Sequence, residues 1–157
     1  MHIEVDQSGK IGDTAVPTVL AFSNLESHAI LIPAGVKRDC LRELRRRKKT
    51  GTTLYLQPFA VGLFLLLERV IEKVSLVTID LEYPGHSATI KEHLLNLLRR
   101  AGLSVDADVI EFKQIHGIGK KSAAHDKAYY VFRGDVKPNR IITAEDVLGQ
   151  FKSKGLS

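Results

Sequence analysis

The spacing of apolar residues changes near residue 35, and this change constrains the fold more than any other feature of the sequence. Before it lie three short segments that are typical of β-strands: in the first, Ile3 and Val5 alternate with Glu4 and Asp6, and turn residues end the other two. After it, apolar residues recur every three or four positions, and strand-like segments separate the helical ones. The three early strands are joined by loops of a few residues, so an antiparallel meander is predicted. These strands are expected at 2–8, 16–22 and 28–32.

The second part of the chain is predicted to alternate helices with strands. Helices are expected at 36–49, 59–73, 90–101 and 122–132, with a short one after Thr143. Strands are expected at 76–81 and 107–115, and 53–57 is either a short strand or an extended linker. Because crossovers between parallel strands are right-handed, this order predicts an α/β fold with a mixed five-stranded sheet and helices on both faces. The first strand is expected at its centre, beside the strand that ends at Asp80.

Composition fits one globular domain. The chain has 157 residues, of which 44% are hydrophobic and 26% charged, and a chain of this length can bury a substantial core. Residues 1–133 are predicted to form the core, and residues 134–157 a C-terminal extension with a short helix in the same domain. Cys40 is the one cysteine in the sequence, which excludes an intrachain disulfide scaffold.

The start of the chain and its longest apolar run predict a cytoplasmic protein with no membrane partner. Glu4 and Asp6 fall within the first six residues, where a secretory signal would have an apolar stretch. The most apolar run, 59–67, is about half of the ~20 residues that a membrane span requires. This run is therefore expected to be a buried helix.

Two acidic positions lie at strand ends. Asp6 closes the apolar part of the first strand, and Asp80 closes the strand 76–81, with Glu82 two residues further on. An acid in an apolar strand is costly unless it is paired, hydrogen-bonded or bound to a metal. If the two strands are parallel neighbours, their carboxylates share one edge, and a divalent cation relieves their repulsion. The alternatives are that Asp6 forms a turn, and that one of the two acids caps a helix or pairs with a lysine.

The segment 115–128 is a third candidate. His125 and Asp126 fall in the first turn of a predicted helix, behind a glycine loop that contains Lys120 and Lys121. Backbone donors and lysines at such a place favour phosphate. Asp126 is a further candidate metal ligand, and His125 a candidate proton carrier. Two alternatives stay open: helix capping without function, and a helix-hairpin-helix grip on a DNA backbone.

Basic residues predict a nucleic-acid partner, DNA or RNA. The chain has 23 Lys and Arg against 18 Asp and Glu, a formal charge of +5, and a basic balance is typical of proteins that bind polyanions. Cations concentrate on one side of the helix 36–49 and in two loops. The candidate nucleic-acid-binding residues are Arg38, Arg42, Arg45, Arg46, Lys49, Lys10, Lys120 and Lys121. The alternative is a solvated, solubilising face.

The strand order and the acidic positions together resemble the ribonuclease H-like superfamily, and within it the Holliday-junction resolvase branch. The resemblance covers about residues 1–133 and depends on Asp6 in the first strand, Asp80 or Glu82 at the fourth, and Asp126 in the last core helix. It implies two Mg²⁺ or Mn²⁺ ions, held by Asp6, Asp80 and Asp126, with His125 assisting the water or the leaving group.

Two functions follow as hypotheses. The first is a metal-dependent nuclease that hydrolyses phosphodiester bonds in structured or branched nucleic acid, with Asp6, Asp80, Glu82, His125 and Asp126 as catalytic candidates. The second is a non-catalytic nucleic-acid-binding protein of the same fold, which uses the basic helix and the glycine-lysine loop. An interaction module in which the acids are caps is a third possibility. The oligomeric state is left open, with a homodimer among the alternatives.

Overall fold

The computed structural model describes residues 1–23, 26–115 and 122–151 of the chain. In these ranges the strands are β1 (His2–Ser8), β2 (Thr18–Ser23), β3 (Ser27–Ile32), β4 (Leu76–Asp80), β5 (Ile110–Lys113) and β6 (Arg140–Ile141). The helices are α1 (Ala34–Arg46), α2 (Thr53–Leu67), α3 (Ser87–Arg100), α4 (Ala123–Arg133) and α5 (Ala144–Leu148). Short 3₁₀ turns occur at Ile71–Lys73, Ala107–Val109 and Gly149–Phe151. Within the described ranges, none of the helices has the length and apolar character that a bilayer crossing needs.

The six strands form one mixed sheet in the order β5-β4-β1-β2-β3-β6. β1, β2 and β3 form an antiparallel meander, while β4 is parallel to both β1 and β5. The predicted α/β class, the meander and the position of the first strand beside β4 are confirmed.

The prediction of five strands is wrong, because β6 adds a sixth. β6 pairs parallel with β3 and has two residues, too few for an alternating pattern to be read from the sequence. Asn139 anchors it: its backbone N–H donates to the Ala29 carbonyl at 2.8 Å, and its Oδ1 accepts from the Ala29 N–H at 2.8 Å.

The two faces of the sheet are covered unequally. Side chains alternate along a strand, so β2 places Leu20 and Phe22 on one face and Val19 and Ala21 on the other. The first face packs against α1, α2 and α3 in the main hydrophobic core, and we call it the α2 face. The second, the α4 face, packs against α4. The buried residues of the α4-face core are Val19, Ala21, Ala29, Ala128 and Val131.

The helix α2 differs from its prediction at both ends. It begins at Thr53, so 53–57 is neither strand nor linker, and Pro58 lies inside the helix. Proline lacks the N–H that would bond the carbonyl four residues earlier, and it normally ends a helix. Here Leu54 and Leu56, before the proline, are buried in the main core, and we attribute the extra first turns to this burial. The helix ends at Leu67, before the 3₁₀ turn that the prediction had included.

The helix α4 confirms its prediction. The Ser122 side chain caps it by accepting a hydrogen bond from the His125 backbone N–H at 3.0 Å, and Gly134 ends it in the left-handed conformation, with φ of 87°. At the end of β1, Gly9 has φ of +81°, and a Cβ there would lie 2.1 Å from the Pro17 carbonyl oxygen and 2.8 Å from the Phe132 ring. Glycine is therefore required where the chain leaves β1 beneath α4.

The C-terminal extension joins the same sheet and core as far as residue 151. The β6 strand extends the sheet, and α5 begins with a capping box in which the Thr143 and Asp146 side chains each bond the other's backbone. Val147 and Phe151 are buried in the main core. Residues 152–157 lie outside the described ranges.

Candidate metal centre

The pairing of β1 with β4 brings two acidic residues together. The parallel register places Val5 opposite Ile79, so the next residues, Asp6 and Asp80, are neighbours. Val5 and Ile79 are buried in the main core, and alternation therefore turns both acids to the α4 face. Glu82 follows two residues after β4 ends.

Ligand oxygens of Asp6, Asp80 and Glu82 all lie within 4.8 Å of one another. We call these three residues the acidic triad. Asp6 is 2% exposed and Asp80 6% exposed, and Glu82 is half-buried. Buried carboxylates at this separation repel one another strongly because little water screens them.

Hydrogen bonds fix two of the three carboxylates. Asp6 Oδ1 accepts from the Gln7 backbone N–H at 2.8 Å, and Asp6 Oδ2 lies 2.8 Å from His125 Nδ1 on α4. Asp80 Oδ1 accepts from the Ile115 backbone N–H at 2.9 Å, just beyond β5. Both acids are thus held in one orientation by partners from separate parts of the chain.

The third carboxyl shows the electrostatic cost of the cluster. Burial, together with the negative charges of Asp80 and Asp6, raises the pKa of Glu82 to about 7. The positive charge of Lys10 opposes this shift of the pKa. Lys10, predicted as a nucleic-acid contact, therefore lies within electrostatic reach of the triad.

The triad suits a hard divalent cation. All three residues offer carboxylate oxygens, which Mg²⁺ and Mn²⁺ prefer to nitrogen or sulfur ligands. A bound cation would also offset the repulsion among the three carboxylates.

Asp126 does not belong to the triad. It is exposed in the first turn of α4, and the preceding residue, His125, contacts Asp6. Successive side chains on a helix are about 100° apart, so a helix that turns His125 towards Asp6 turns Asp126 elsewhere. In the described residues Glu82 takes the third position that the resemblance gave to Asp126.

An aromatic extension of the site escaped the sequence reasoning. The Tyr129 ring lies parallel to the His125 ring, with centroids 6.5 Å apart and an interplanar angle of 5°, and the Arg133 guanidinium lies 5.5 Å from the centre of the Tyr129 ring. Tyr129 is 44% exposed. The spacing of four residues between His125 and Tyr129 places both on one side of a helix. This spacing could have indicated from the sequence that Tyr129 lies beside His125.

The helix α1, which carries most of the predicted basic contacts, packs on the α2 face of the sheet. The buried residues Cys40, Leu41 and Leu44 pack α1 into the main core, on the face opposite α4. Arg38, Arg42, Arg45 and Arg46 are exposed and Lys49 is half-buried. Arg46 pairs with Glu43, and Arg42 lies 3.5 Å from Asp39. The predicted contacts Lys120 and Lys121 lie outside the described residues.

Comparison of the chain with models of protein families, with curated proteins and with solved structures gave no significant match.

Proposed function

We propose that this chain is a metal-dependent nuclease with a ribonuclease H-like arrangement of strands, acting on structured or branched nucleic acid. The observation that carries the proposal is the acidic triad, three carboxylates gathered within 4.8 Å at the ends of two central parallel strands. Such a cluster destabilises a fold unless a cation or proton compensates it, and a cation there is suited to phosphodiester chemistry.

The sheet supports the proposal. The first strand is central, with an antiparallel meander on one side and parallel strands on the other, as the resemblance implies. The carboxyl ends of parallel strands are also where open α/β sheets bind ligands.

Each residue near the triad has a distinct role in this proposal. Asp6, Asp80 and Glu82 would hold Mg²⁺ or Mn²⁺, which supplies an activated water and stabilises charge on the phosphate oxygens. His125 would donate its Nδ1–H to Asp6, which would leave Nε2 as the ring nitrogen that exchanges a proton with the water or the leaving group. Lys10 would contact a phosphate, and the exposed Tyr129 ring would stack on a base.

A single substitution tests the proposal. Asp6→Asn keeps the shape of the side chain but removes its charge, and we expect Mg²⁺-dependent cleavage of a labelled branched DNA or RNA to fall by about a hundredfold or more, which is about 2.7 kcal/mol of barrier. Asp39→Asn, at an exposed acid on α1, is the matched control and should cleave at the wild-type rate. Wild-type cleavage by a folded Asp6→Asn protein would contradict the proposal.

The second candidate is a non-catalytic nucleic-acid-binding protein. The exposed arginines of α1 favour it, because they form a cationic face on a helix whose other side is buried. Binding through such a face weakens steeply with salt and does not depend on the triad. Equal binding by wild-type and Asp6→Asn protein, without cleavage of any substrate by either, would support this candidate over the nuclease.

A further inference from the structure

We propose that a cavity on the α2 face binds a small phosphate-bearing ligand with a flat apolar part, of the nucleoside monophosphate class. The cavity has a volume of about 410 Å³ and lies between the β2–β3 end of the sheet and the end of α2. This volume is within the usual range of small-molecule sites. We call it the Arg69 cavity. Its position opposite the α4 face separates it from the acidic triad.

Positive charge converges on this cavity. Arg69 follows α2, Arg140 is in β6, His28 is in β3, and all three line the cavity. Burial, followed by the positive charges of Arg69, Lys127 and Arg140, lowers the pKa of His28. Each of these cations therefore disfavours a positive charge on His28, and an anion bound between Arg69 and Arg140, which line the cavity, would be attracted by both guanidinium groups. The exposed Glu26 contributes one negative charge to the lining.

Hydrogen bonds within the protein hold two of the polar side chains of the lining, Arg140 and Asn139. Asp146 Oδ1 accepts from one terminal nitrogen of Arg140 at 3.1 Å, which fixes the position of a guanidinium that has further N–H donors. Asn139 Oδ1 accepts from the Ala29 N–H, so the amide hydrogens are the part of this lining side chain with which it would bind a ligand. Arginine forks and amide donors are the groups that recognise phosphate oxygens.

The other walls of the cavity are apolar and aromatic. The Phe22 and His28 rings are stacked, with centroids 5.9 Å apart and an interplanar angle of 23°. Leu65, Leu66 and Val70 line the cavity from α2 and the turn after it. Aromatic and aliphatic walls of this kind favour a flat ring. A ligand with both a phosphate and a ring would contact the basic and the apolar walls, whereas free phosphate would contact the basic wall alone.

The test is calorimetric titration of the whole protein in EDTA, which removes divalent ions from the triad. The probes are adenosine monophosphate, adenosine and inorganic phosphate. We expect adenosine monophosphate to bind at least about tenfold more tightly than either of the others. Absence of binding, or equal affinity for adenosine and its monophosphate, would overturn the proposal.

Three variants test whether adenosine monophosphate binds in the Arg69 cavity. Arg69→Ala changes an exposed side chain and should weaken adenosine monophosphate about tenfold. Lys73→Ala removes the same charge from a nearby exposed residue outside the lining, and it should leave the affinity unchanged. Asp6→Asn should also bind normally, because the triad is on the other face. If Lys73→Ala weakens binding as much as Arg69→Ala, or if Asp6→Asn abolishes it, the Arg69 cavity is not the site.

Discussion

The two faces of the sheet differ in what they bury and in what they can do. The α2 face presents large apolar side chains to three helices, and its core extends from Ile3 to Phe151. The α4 face presents small apolar residues to one helix, and beside them lie the buried acids Asp6 and Asp80. Apolar burial is the main source of folding free energy, so the α2 face contributes most of the stability of the fold. Buried charge is costly even where it is hydrogen-bonded, and the α4 face buries the carboxylates of Asp6 and Asp80 where the proposed chemistry lies.

The largest expected difference between the two faces is in the free energy of unfolding that is lost when a core side chain is truncated. Leu63, in α2, is fully buried in the main core, and Leu63→Ala should lower the free energy of unfolding by about 3 kcal/mol. Val131→Ala, in α4, removes two carbon groups from the small core and should cost about 1.6 kcal/mol before any cavity contribution. Urea denaturation measures both.

Leu81→Ala is the matched control for Leu63→Ala, because Leu81 is 37% exposed and its truncation should cost little. A cost for Val131→Ala equal to that of Leu63→Ala would show that the two faces contribute alike to stability, and the comparison would fail.

The part of the site that depends on strand order and on the alternation of side chains could be predicted from the sequence. Asp6 and Asp80 were both at strand ends, and pairing of parallel neighbours was enough to bring them together. Glu82 rather than Asp126 completes the triad because of the path of the chain after β4 and the rotation of α4 about its axis, and neither is encoded in a local pattern. The Arg69 cavity escaped prediction for a related reason: Phe22, Arg69 and Arg140 come from three distant segments that only tertiary packing brings together.

The pH dependence of stability tests the electrostatic part of the comparison. Folding raises the pKa of Glu82 from its ordinary value of 4.5 to about 7, so between these values the folded protein binds more protons than the unfolded chain. Stability without divalent ions should therefore fall as pH rises from about 4.5 to about 7 and stay low above that. Glu82→Gln should flatten this fall and melt at a higher temperature than wild type at pH 8.

Added Mg²⁺ should raise the wild-type melting temperature at pH 8 and raise that of Glu82→Gln less, because the variant has lost one ligand. The exposed Glu72→Gln is the matched control, and its melting temperatures should follow those of wild type across the pH range. A pH profile of Glu82→Gln parallel to wild type would mean that burial and the charges of Asp80 and Asp6 do not raise the pKa of Glu82 on folding.

The smallest expected effect is a difference in cleavage rate between a variant of the basic residues on α1 and a variant of Lys10. Arg42 and Arg45 lie on α1, which packs on the α2 face, while the charge of Lys10 reaches Glu82 in the triad. Arg42→Gln combined with Arg45→Gln should change Mg²⁺-dependent cleavage by about twofold or less, since exposed charges remote from a site are largely screened. Lys10→Gln removes half as much charge but should slow cleavage about fivefold, because it removes a cation that acts directly on the triad. Initial rates at one salt concentration measure both.

A double variant that slows cleavage more than Lys10→Gln would mean that the nucleic acid reaches the triad across the basic face of α1. The difference between the two faces of the sheet would then not extend to substrate binding.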